Sequence, residues 1–64
     1  MLVRVLFEYS TQDSQYRYIE RWEKLYKQES NARRYWRISL IRSLLERNIV
    51  SNHLKLIELE YVGS

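Results

Sequence analysis

The chain has 64 residues, 45% of them hydrophobic and 30% charged, with a formal net charge of +3. This suits one small folded domain over residues 1–64 and is too apolar for a disordered chain. The absence of cysteine excludes a disulfide framework and thiolate metal sites, and no apolar run approaches the roughly 18–20 residues of a membrane-spanning helix.

Leu2 to Tyr9 reads as a strand. Val3, Val5, Phe7 and Tyr9 share one face, and Leu2, Arg4, Leu6 and Glu8 share the other. Ser10 to Ser14 is a polar run of helix-capping residue types. From Ser14 to about Glu29, steps of 100° gather Tyr18, Ile19, Trp22, Leu25 and Tyr26 into an arc of about 120°. Arg17, Glu20, Arg21, Glu23, Lys24 and Lys27 cover the opposite side, and Asp13/Arg17, Glu20/Lys24 and Glu23/Lys27 stand acid before base at i,i+4. The spacing predicts an amphipathic helix that breaks at Ser30-Asn31. A second helix is expected from Ala32 to Arg47, with Ile38, Leu40, Ile41, Leu44 and Leu45 as its apolar stripe and Trp36 at the border. Asn48 is a candidate left-handed stop and Ser51-Asn52 a turn. His53 to Val62 reads as a second strand, with Ile57, Leu59 and Tyr61 opposite Glu58 and Glu60.

The expected fold is α+β in the order β-α-α-β, a helical hairpin packed on a two-stranded antiparallel sheet. Two helices of about 24 Å match strands of about 27 Å, whereas one unbroken helix of about 50 Å would not. Antiparallel strands place Arg4 across from Glu58 or Glu60. The outer face would expose Leu2, Leu6, Leu54 and Leu56, so a homodimer extending the sheet, or a partner covering that face, is expected. The element order over residues 2–47 resembles that of the ribbon-helix-helix DNA-binding dimers. The strand from His53 to Val62 lies outside that pattern, and no base-reading residue carries over.

Charge is uneven along the chain. Residues 1–13 carry −1, 14–30 carry +1, 31–47 carry +4 and 48–64 carry −1. All five bases of the third segment are arginines, and three of them interleave with aromatics in Arg33-Arg34-Tyr35-Trp36-Arg37. Arginine pairs bidentately with carboxylate and phosphate, and Tyr, Trp and Arg are the side chains that dominate binding hot spots. These five residues, with exposed Tyr16 as a neighbour, form the candidate partner-binding surface. The plainer reading is a solvated helix start with Trp36 in the core.

Catalysis is not expected. The lone His53 sits at a strand start, Glu58 and Glu60 suit edge pairing with Arg4 or Lys55, and the only glycine is Gly63, so no phosphate loop exists. No cofactor or metal is expected. The anticipated function is a non-enzymatic binding protein of regulator or inhibitor type that docks on a protein, of a size common among phage and mobile-element proteins. A dimeric nucleic-acid binder and a structural subunit of a larger complex are the alternatives. The start of the chain lacks the pattern of a signal peptide, and a cytoplasmic location is expected.

Overall fold

The computed structural model describes residues 1–63, the side chain of Asn52 excepted. Three strands and one helix follow in order: β1 (Leu2–Thr11), β2 (Tyr18–Leu25), α1 (Glu29–Glu46) and β3 (Ser51–Val62). The strands form an antiparallel sheet in the order β2-β1-β3, with β1 in the centre. The protein is a small α+β fold, but not the expected β-α-α-β. The segment read as a first helix is β2, and the sheet has three strands rather than two.

The reason lies in the spacing. Tyr18, Trp22 and Tyr26 are four residues apart, which satisfies a helical face and also an alternating strand. Tyr, Ile and Trp fit a pleated sheet better than a helix. The acids and bases pair across elements instead of along a helix: Arg4 Nε donates to Glu23 at 2.9 Å, Arg17 to Glu8 at 3.4 Å and Arg47 to Glu20 at 2.8 Å. The polar run after β1 builds the hairpin connection. There Ser14 N–H donates to the Thr11 carbonyl at 3.4 Å and Tyr16 N–H to Ser14 Oγ at 3.0 Å.

The helix starts at Glu29 rather than Ala32, so Ser30 and Asn31 lie in its first turn. It ends as expected at Asn48, whose φ is 60°. Asn48 N–H donates to the Leu45 carbonyl and Ile49 N–H to that of Leu44, the paired bonds of a Schellman end. Residues 51 and 52 belong to β3 instead of a turn.

Val3, Val5, Phe7 and Tyr9 pack against Ala32, Trp36, Leu40 and Leu44, one i,i+4 row of the helix. The fully buried Ala32 lets the start of α1 approach the sheet closely. The helix lies over β1 and β2, while its Cα atoms stay more than 8 Å from those of β3. On the β2 side it is tied by polar contacts. Trp22 Nε1 donates to Ser43 Oγ at 3.2 Å and Tyr26 Oη to Ser39 Oγ at 2.7 Å. Arg47 grips Glu20 with two bonds of 2.8 and 3.1 Å, and Tyr9 Oη donates to the same carboxylate at 3.0 Å. The Arg47 bonds hold Glu20 below the usual carboxyl range, aided by Tyr9 and opposed by burial. Burial first, and the bond to Glu20 second, push the Tyr9 phenol up.

On the outer face Arg4 stands between Glu23 and Glu60, as antiparallel pairing of β1 and β3 requires. The register shifts at Ile57, because Leu6 faces Glu58 while Phe7 faces Leu56. This bulge reverses the face of residues 53–56, and a second shift between Ser10 and Thr11 ends the reversed stretch. Leu54 and Leu56, expected outside, therefore stand opposite Tyr9 and Phe7 on the helix side.

Candidate functional site

The arginine–aromatic segment is split by the helix. Trp36 is a core residue, 7% exposed. Arg33 and Arg37 point toward β3. The Arg33 guanidinium lies 4.3 Å from the Tyr61 ring centre and bonds Glu29 at 3.1 Å, while that of Arg37 lies 5.3 Å from the Trp36 ring. Tyr35 is two residues from Arg37 and thus roughly 160° away around the axis. It is exposed on the β2 flank. Arg34 is exposed on the solvent side. Tyr16 is exposed, as expected, but it sits in the β1–β2 connection at the Thr11 end of the sheet. Arg33 is at the other end, beside Tyr61, which pairs with Val3. The structure thus brings Arg33 and Arg37 together, and separates Tyr35 and Tyr16 from them.

What adjoins Arg37 is a trench. The backbone of α1 stays clear of β3, and the inner face of β3 is open at Leu54 and Leu56, while Leu59 and Tyr61 pack against the core. Val5, Phe7, Leu54 and Leu56 form a floor, and Trp36, Arg37 and Leu40 a wall, around a groove of about 200 Å³. Toward the end of the helix a hollow of about 310 Å³ continues past Leu54 between Ile41, Leu45 and Val50. Leu54, Leu56 and Ile41 are all more than a third exposed. The sequence reading put Leu54 and Leu56 on an outer face to be covered by a partner and missed that they join Val5, Phe7 and Leu40 in this groove. Their signal was the doublet Leu56-Ile57, which interrupts alternation and marks the bulge that turns Leu54 and Leu56 inward.

Arginine stems lie on apolar surface while their guanidinium groups stay wet. An open apolar floor with Arg37 on its rim and Arg33 one helical turn away can take an extended or helical segment whose apolar side chains fill it and whose carboxylates meet the rim. His53 and Glu60, weighed above for chemistry, are engaged in the fold. His53 Nε2 lies 3.3 Å from Glu8 Oε2, which also accepts from Arg17. Glu60 Oε1 lies 3.8 Å from Arg4, and Glu58 faces Leu6. Among the described residues no three His, Asp or Glu side chains gather around one point as metal ligands would, and no helix is long and apolar enough to cross a membrane. No protein-family model matches the chain, and neither a curated protein nor a solved structure matches it.

Proposed function

We propose that this chain is a non-enzymatic docking module that binds a protein partner in the α1–β3 trench, in a regulatory or inhibitory role, and that it works as a homodimer with a shared sheet. The observation that carries the reading is the open part of the inner face of β3 at Leu54 and Leu56, an apolar floor with Arg37 on its rim and Arg33 one helical turn away over Tyr61. The partner segment it fits carries alternating apolar and acidic side chains. Trp36 lines the trench and reports on its occupancy by fluorescence.

A synthetic peptide alternating Leu and Glu is the probe. It should change the tryptophan emission, and Arg33→Glu with Arg37→Glu should abolish the response while the circular-dichroism spectrum stays intact. Retained binding by that variant refutes the site.

The excess of four positive charges on residues 31–47 supports a second reading, nucleic-acid binding through arginine–phosphate pairs. Duplex DNA distinguishes it. Binding through phosphates weakens with a log–log salt slope of about −0.9 per contact, whereas a trench filled by apolar side chains responds far less to salt.

A further inference from the structure

β2 is an edge strand, and its free edge carries an unusual order of side chains. Read outward from Trp22, the flanking pairs are Arg21 and Glu23, Glu20 and Lys24, Ile19 and Leu25, Tyr18 and Tyr26. Each pair joins opposite charges or like apolar groups. An antiparallel strand paired with its own copy about a two-fold axis must place one residue opposite itself, and its neighbours then meet in this way.

We infer that two copies of this chain pair β2 to β2 in antiparallel register, with Trp22 on the two-fold axis, to form a six-stranded sheet. This specifies the homodimer of the proposed function and rests on that part of it. Three further observations agree. Ile19 and Leu25, 63% and 75% exposed, are the most exposed aliphatic side chains among the described residues. Both are on the outer face, opposite Glu8 and Leu2, where each would gain the other's copy as its cross-strand neighbour. Arg21 and Lys24 have no carboxylate within 4 Å among the described ion pairs, and the register gives them Glu23 and Glu20 of the second copy.

The helices fit as well. The backbone of α1 comes within 8 Å of β1 and β2 and of no Cα in β3. With strands about 4.8 Å apart, joining β2 edges sets the two helices roughly 10–15 Å apart, the lower end of which is the spacing at which helices pack. Tyr35, exposed on that flank of α1, would line their seam. The trench beside β3 remains open at each outer edge of the dimer.

The test is a charge swap on the full-length chain, read by sedimentation equilibrium. Arg21→Glu places two glutamates opposite Glu23 across the axis, and Glu23→Arg places arginines opposite Arg21. Each single variant should weaken the dimer by roughly ten- to a hundredfold. The double variant should recover it, and so should an equimolar mixture of the two single variants. The double variant also controls for folding, because the Arg4–Glu23 contact is lost in it as in Glu23→Arg. A wild-type chain that is monomeric at micromolar concentrations overturns both this inference and the homodimer. A dimer indifferent to the swap overturns the β2 register alone.

Discussion

Leu40 and Leu45 separate the helix phase seen in the structure from the one expected from the sequence. Both belong to the predicted apolar stripe, but Leu40 is 2% exposed and Leu45 53%. Truncating either to alanine removes the same atoms and hardly changes helix propensity. For Leu40 the lost transfer energy is about 2–2.5 kcal/mol, from roughly three buried carbons. A closed cavity would add up to about 2.5 kcal/mol more. Leu40 lines the open trench, however, so water can enter the space left behind, and the total should stay near 2–3 kcal/mol. Leu45 has less than half of that area to lose, which gives about 1 kcal/mol. Urea denaturation followed by far-ultraviolet circular dichroism measures both. With a slope of about 1 kcal/mol/M for a chain this small, the two midpoints should differ by about 1–2 M. Equal midpoints would refute the helix phase, and a cost above about 4 kcal/mol for Leu40 would mean the trench is closed.

The Glu20 cluster should set part of the acid sensitivity. Its carboxyl is held below the ordinary value of 4.5, chiefly by Arg47. The stability it contributes is therefore fully present above that value and is lost as pH falls through the lower folded-state pKa. Glu20→Gln should be less stable than wild type at neutral pH, and the gap should narrow below about pH 4.5. A gap that is independent of pH would rule out this linkage. At Asn48, whose φ is 60°, substitution by glycine should change stability by under about 0.5 kcal/mol, while valine should cost about 1–2 kcal/mol. Thermal melts that fail to separate the two variants would contradict the left-handed helix stop.

The elements that came through correctly from the sequence are those whose pattern admits one period. In β1, Val3, Val5, Phe7 and Tyr9 alternate with polar or outer residues, and all four are buried. The run from Ala32 to Glu46 carries a stripe at helical spacing, and it is helical. Residues 18–26 admit both periods. Their i,i+4 charges fit a helix surface, yet the same residues pair with other elements: Glu23 meets Arg4 on β1 and Glu20 meets Arg47 at the end of α1. A local pattern cannot reveal whether a base four residues on or one on another element takes the carboxylate. That choice is made by tertiary packing, and here it also gave Trp22 and Tyr26 partners in Ser43 and Ser39.

The candidate site was legible in chemistry but not in place. Trp36 and Arg37 were picked out for residue type and do border the trench, with Arg33 one helical turn away over Tyr61, whereas Tyr35 lies on the opposite flank and Tyr16 at the far end of the sheet. The floor was hidden because one extra residue, Ile57, reverses the face of Leu54 and Leu56. The extra strand has a second consequence. With β2 in the sheet, α1 sits over β1 and β2 and cannot also cover all of β3. The helical hairpin expected from the sequence would have had a second helix to place there. A single helix of 18 residues on three strands leaves Leu54 and Leu56 of β3 uncovered, and Arg37 on that side of the helix then stands on the rim of an apolar surface rather than over a closed core. The open trench thus follows from the same segment, residues 18–25, whose free edge carries the self-complementary order around Trp22.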